Sequence, residues 1–368
     1  MVKSTDIVII GAGIVGSTIG YQLATLGMEV RIIDQGGVGS GASGVAAGLL
    51  LPISENPIGS PLTTLGTRSL ALHRKLTAEL LERTGIDVGL ANTPVLLPAF
   101  TEKDANLYLD YSHQPNSDQH PIEWLDANTA RSFEPLLSSQ ILGCLLSESE
   151  GQINPQPLLM ALSTAAERHG ASYTKTEVTN IGRTNNHLIS VESRNETYIC
   201  QTIVLAMGPW TASASQWVDM DIPVRPVKGE LLWLNSRSKK LNSILFHQGD
   251  YLAPKAGYVV AGATMEEAGF DTTSTLRARE SILEKTEKLA PALNAPPVTM
   301  ALAGLRPVSK DSLPIIGPIP DWPEVLIATG HGRNGILLAP ITAQFIIDHI
   351  LGSTLTDSHK QLLPGRFG

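Results

Sequence analysis

Cysteine is nearly missing from this 368-residue chain. Only Cys144 and Cys200 are present, far apart in sequence, which excludes a disulfide scaffold and leaves no paired-cysteine spacing for a metal. Both are expected to be buried thiols. Long apolar runs are lacking too. The most apolar stretch, residues 335–351, is broken by Pro340, Gln344 and Asp348 and falls short of the ~18 uncharged residues that cross a bilayer. Positive charge is scarce, with 27 Lys and Arg against 35 Asp and Glu and a net charge of −8. That balance argues against nucleic acid or an anionic membrane as a main partner, because both bind through basic patches. A strand pattern begins by Asp6, too early for the basic, apolar and cleavage regions of a signal peptide, so a cytoplasmic location is expected. The nine histidines show no H-E-x-x-H spacing, no metal site is expected, and neither a carboxylate pair nor a Ser/His/Asp set stands out. There is no internal repeat or low-complexity segment.

What is present is the composition of a globular protein, with 42% hydrophobic and 17% charged residues. The length suggests two domains, which need not be sequential. The first strand, residues 6–10, runs into Gly11-Ala12-Gly13-Ile14-Val15-Gly16, then a helix from about Ile14 to Leu26 stopped by Gly27, then a strand over residues 29–34 ending in Asp34. This is a βαβ unit with a G-x-G-x-x-G turn. Gly11 permits the tight turn, Gly13 lets the backbone approach a pyrophosphate, and Gly16 lets the helix pack on the strand. The helix N-terminus offers unpaired N–H groups and a positive dipole end to phosphates. Asp34, with Gln35 after it, stands at the distance expected of the acid that meets a ribose hydroxyl. A bound dinucleotide follows from that combination; which dinucleotide does not.

Beyond this unit, residues 36–52 form a Gly/Ser/Ala tract whose small side chains suit close approach of a ligand. An amphipathic helix is predicted over residues 64–84 and another over 155–169. Residues 116–118 read as a surface turn, and residues 171–181, 187–193 and 197–207 as a meander leading into a buried strand that breaks at Gly208. Alternating strands follow at 223–234, 244–248, 250–255 and 257–265, then a helix at about 274–289, a strand at 325–329, and a last helix ending near Leu351. The fold class expected is α/β plus α+β: a Rossmann-like cofactor domain (1–87, 148–222 and 300–368) interleaved with an antiparallel-sheet substrate domain (88–147 and 223–299).

Four blocks, Ile9 to Gly16, Ser40 to Gly48, Gly304-Leu305-Arg306-Pro307 and Gly330-His331-Gly332-Arg333-Asn334-Gly335 running on to Pro340, occur in order across the chain. Together they resemble the D-amino-acid-oxidase family of flavoproteins; residues 90–150 resemble it only loosely. The resemblance implies noncovalent FAD, since no Cys stands in the 330–335 turn and no His in residues 43–48, where relatives attach the flavin. It implies that Ser43, Ala46, Ala47, Gly48 and Leu50 line the FAD, that Val178 lies near its adenine, and that Gly208 and Trp210 approach it from the later strand. Gly332, Asn334, Gly335, Ile336 and Leu337 would wrap the flavin ring, with a core role open for Leu337, and Arg306 would also contact the cofactor.

Arg306 and Arg333 stand among small or apolar residues, where burial without an anionic partner is costly. The resemblance makes that anion a substrate carboxylate, which Arg holds bidentately; a structural ion pair is the alternative, especially for Arg333. Tyr251 falls where the family has a carboxylate-touching tyrosine, and Met265 where it has an active-site methionine, although either could be core. A histidine that some members carry two residues before the tyrosine falls at Gly249, with His247 nearby. His331 is expected to support the backbone. The activity implied is oxidation of a small amine or amino acid with oxygen as acceptor; a dehydrogenase using a quinone or protein acceptor is the alternative, and a homo-oligomer is left open.

Overall fold

The computed structural model describes residues 2–56, 59–113, 121–184, 188–236 and 239–367. The turn expected at 116–118 and the first residue of the strand expected at 187–193 lie outside them.

A six-stranded sheet carries the N-terminal motif. Its order is Ser172–Lys175, Val30–Asp34, Ile7–Ile10, Thr202–Leu205, Trp322–Thr329 and Ile315–Ile319. The first five strands are parallel and the sixth pairs antiparallel. Ile7–Ile10 is apolar at every position and wholly buried, because Ile7 and Ile9 face the helices while Val8 and Ile10 face a four-stranded sheet that includes Ile189, Val191 and Tyr198. Two strands correct the predicted meander. Ser172–Lys175 joins this sheet beside Val30–Asp34, and residues 197–207 split into Thr197–Cys200, in a separate four-stranded sheet, and Thr202–Leu205 in the parallel one.

Helix Ile14–Thr25 starts at Gly13 with no side-chain cap. The turn before it depends on glycine: Gly11 has φ +110°, and a Cβ there would overlap the carbonyl of Ala206 at the end of the neighbouring strand. Helix Pro61–Thr84 begins earlier than its apolar periodicity indicates because Ser60 caps it, accepting from the Thr63 N–H at 3.2 Å, with Pro61 at the first position. It packs against helix Gly335–Ile350, which contains Pro340.

The second large sheet has eight strands, in the order Val298–Ser309, Val224–Asn235, Tyr258–Gly262, Asp250–Lys255, Ile244–His247, Val95–Ala99, Gly143–Ser147 and Ile122–Asp126. All neighbours are antiparallel except Ile244–His247 with Val95–Ala99. The expected combination of a parallel cofactor-type sheet and an antiparallel sheet is therefore the observed architecture. Val298–Ser309, most of which was expected in the cofactor portion, pairs along its length with Val224–Asn235 in the larger sheet. Arg306 thus projects from the larger sheet, and the chain then returns to the parallel one through Ile315–Ile319. Among the described residues no helix is long and apolar enough to cross a membrane.

Candidate active site

One cavity of about 1120 Å³ runs from the Gly-rich turn to the junction of the two large sheets. At one end it is lined by Gly11, Gly13, Ile14, Val15, Asp34, Gln35 and Val178. Ser43, Ala46, Ala47 and Gly48 form its middle, with Gly208 and Trp210 from beyond strand Thr202–Leu205. At the far end stand Tyr251, Arg306, Gly332, Arg333, Gly335 and Ile336.

Five expected residues are not on its wall, and each departure has a physical reason. Gly16 lies behind the turn, where a Cβ would strike the Gly11 carbonyl. Leu50 and Leu337 are fully buried in the core that joins the helices to the parallel sheet. Asn334 is buried with its amide turned to Asn56 Oδ1 at 3.3 Å. Met265 is 58% exposed: the regular strand ends at Gly262, and although Thr264 and Glu266 on either side still bond to Glu230 and Lys228 of strand Val224–Asn235, the Met265 side chain faces solvent. His247 is likewise elsewhere, held by the Pro98 carbonyl at 3.1 Å and set edge-on to Phe100.

The residues present fit FAD. The N-terminus of helix Ile14–Thr25 opens on the cavity with no cap from the Gly13 position, and its dipole and the N–H groups beyond Ile14 suit an anion. Ser43 Oγ accepts from the Ile14 N–H at 3.0 Å and so pins the small-residue tract beside that turn. Asp34 organises the opposite lip. Its Oδ1 accepts from the Gly36 and Gly37 N–H groups at 2.7 and 2.8 Å, and its Oδ2 from the Ala12 N–H at 2.9 Å. A carboxylate offers about four acceptor positions, so Oδ2 keeps capacity for a ribose hydroxyl. At the far end the N-terminus of helix Gly335–Ile350 also lacks a side-chain cap, and its dipole suits negative charge on the cofactor ring. Neither Cys144 nor Cys200 lines the cavity, and both are buried free thiols.

The charged groups at that end differ in their partners. Arg333 is paired through Nε to Glu55 and donates from Nη2 to the Gly249 carbonyl at 2.9 Å. Burial works to lower its pKa, and the Glu55 carboxylate more than offsets this, so the guanidinium is held above its ordinary value. Arg306 donates from Nη1 to the Thr264 carbonyl at 3.0 Å. Among the described residues no carboxylate lies within ion-pair distance of it. Burial first, then the Arg333 charge, lowers its pKa; an arginine stays protonated regardless. Tyr251 is buried beside them, its phenol pushed up to about 12 by desolvation. It is therefore a neutral hydrogen-bond donor at any working pH. His331 Nε2 lies 2.9 Å from Thr342 Oγ1, a side chain rather than the backbone, and burial pushes its pKa down to about 4.

Glu55 is the site residue that sequence reasoning missed. The segment Ile53-Ser54-Glu55-Asn56 carries no motif, and the contact that defines Glu55 spans 278 positions.

The family model described as FAD dependent oxidoreductase matches residues 6–349. Glycine oxidase of Geobacillus kaustophilus is 34% identical over 353 residues, covering 95% of this chain and 93% of that protein. Glycine oxidase of Bacillus subtilis is 30% identical over 353 residues, covering 95% and 94%. The crystal structure of the Geobacillus kaustophilus glycine oxidase superposes with a TM-score of 0.92 at 32% identity, over 96% of each chain. With the cavity, its two helix N-termini and its arginine pair in place, these matches settle the family: the chain belongs to the DAO family of FAD-dependent oxidoreductases.

Proposed function

We propose that the protein oxidises a small amino acid or secondary amine, of the size of glycine, sarcosine or a small D-amino acid, to the imine, with oxygen reduced to hydrogen peroxide. The observation that carries this reading is Arg306: a cation facing the cavity at the end of the cofactor groove, with no acid of its own among the described residues. A substrate carboxylate satisfies it through a bidentate contact, and the Tyr251 hydroxyl adds a donor beside it. FAD held in this groove would supply the two-electron acceptor for hydride from the substrate's α-carbon. The rest is positioning, and no described side chain on the wall is needed as a base.

In the same reading the turn at Gly11, Gly13, Ile14 and Val15 holds the pyrophosphate, Asp34 and Gln35 the ribose, and Val178 the adenine. Ser43, Ala46, Ala47, Gly48, Gly208, Trp210, Gly332, Gly335 and Ile336 enclose the remainder. The cofactor portion comprises residues 1–87, 148–222 and 300–368, with Arg306 lent by the sheet it shares with the substrate portion. Two buried free thiols suit a reducing, cytoplasmic setting.

Anaerobic titration of the purified protein with a panel of small amino acids and N-alkyl glycines tests this directly. Loss of the oxidised flavin band with at least one of them is expected, followed by stoichiometric peroxide on admitting air. No bleaching by any member overturns the reading. Bleaching with fast dye reduction but slow peroxide formation assigns the electrons to another acceptor.

A further inference from the structure

Glu55 lines the same cavity as Arg306, Tyr251 and Arg333, and it is held there from both sides. The buried Glu150 accepts the N–H groups of Ile53 and Ser54 at 2.7 and 2.9 Å and also the Ser54 hydroxyl. Asn56 donates to the Pro52 carbonyl at 3.2 Å and accepts from Asn334 at 3.3 Å. The backbone before and after Glu55 is therefore fixed, and its carboxylate stays on Arg333.

The charges then count simply. Among the described residues, Glu230 on the same wall turns its carboxylate to Lys228 and Thr275, which leaves Arg306, Arg333 and Glu55 as the charges of the cavity end; Glu55 spends its charge on Arg333, leaving one uncompensated cation, Arg306. We infer that Glu55 sets the substrate class of this site to amines bearing a single carboxylate, by occupying Arg333 and repelling a second carboxylate. The inference rests on the reading of Arg306 as the carboxylate anchor. A substrate with carboxylates on both sides of its nitrogen places one on Arg306, and the other finds Arg333 with Nε on Glu55 and Nη2 on the Gly249 carbonyl. Selectivity of this kind comes from a built-in repulsive element as much as from an attractive one.

The test compares N-ethylglycine with iminodiacetate, which are close in size and differ by a terminal carboxylate, on the FAD-loaded enzyme. The wild type is expected to prefer N-ethylglycine in kcat/KM. Glu55→Gln should shift the ratio toward iminodiacetate by about tenfold or more, since like charges brought together cost several kcal/mol, and Glu55→Asp should keep the wild-type preference. An unchanged ratio in Glu55→Gln, or an equal shift in Glu55→Asp, overturns the inference. A second measurement needs no variant: acetate should compete with substrate more tightly than malonate does in the wild type, and the reverse order overturns it. If the wild type is bleached by no amine at all, the proposed function itself has failed, an outcome separate from either of these.

Discussion

His73 Nε2 lies 2.9 Å from the carbonyl of Ile336, the oxygen that Pro340 leaves without its usual helical partner. A proline four residues on has no N–H to return. The imidazole comes from the facing helix Pro61–Thr84 and fills that vacancy at the first turn of helix Gly335–Ile350, whose N-terminus borders the cavity. It also reaches the Leu337 carbonyl at 3.2 Å. His73→Ala leaves a buried carbonyl unsatisfied, which costs about 1–3 kcal/mol, and loosens the turn that carries Arg333. Urea unfolding should show the loss, His73→Gln should recover part of it through its amide donor, and FAD retention should follow the same order.

Stability should also fall with acid in a defined window. Burial pushes His73, His331 and His359 down to about 4, against about 6.5 for an unfolded imidazole. Between these values the unfolded chain binds protons that the folded chain refuses, so the contribution is complete above pH 6.5 and lost as the pH falls toward 4. Each imidazole adds a slope of up to about 1.4 kcal/mol per pH unit. Denaturant midpoints should hold steady from pH 7.5 to about 6.5 and decline from there down to pH 5. A flat profile would mean the three rings are not buried neutral.

Arg306 and the cofactor should be separable. Arg306→Ala removes the carboxylate partner but no part of the pyrophosphate end, so the half-saturating substrate concentration should rise by roughly 30-fold or more, as for loss of one member of a buried charge pair. FAD content should stay near the wild-type value. Arg306→Lys keeps the charge but not the two-point fork, and should fall between. Equal loss of substrate and FAD in Arg306→Ala would make the residue structural.

How far the sequence carries is visible in which residues it places. The Gly11 turn, its helix and Asp34 were legible because their contacts are local: Asp34 caps its own loop at Gly36 and Gly37. Arg306 was legible because a cation among apolar neighbours needs an anion wherever the fold puts it. Glu55 was not, since nothing near it indicates Arg333. Met265 misled because regular alternation was extended beyond Gly262, where the strand gives way to an isolated bridge at Glu266 and the Met265 side chain is left exposed. Helix Glu102–Ser112 was missed although Thr101 and Asp104 form a capping box that spells its start. Ser172–Lys175 was misassigned because a parallel partner more than a hundred residues away leaves no local sign.

Gly11 and Gly13 offer a last test, since they serve the cofactor site in different ways. At Gly11 the backbone has φ +110° and an added Cβ runs into the Ala206 carbonyl, so Gly11→Ala strains the fold whether or not FAD is bound. At Gly13 the nearest atom to an added Cβ is the Ser43 hydroxyl oxygen at 3.3 Å, on a side chain that can turn, and no positive φ is required. Gly13→Ala should therefore leave the apoprotein's stability within about 1 kcal/mol of wild type while weakening FAD binding, because the methyl stands where the pyrophosphate approaches. Thermal unfolding of the stripped protein, paired with FAD titration by flavin fluorescence, separates the two. Gly11→Ala should lose both stability and cofactor, and Gly13→Ala only the cofactor; retention of full FAD affinity by Gly13→Ala would remove this turn from the phosphate site.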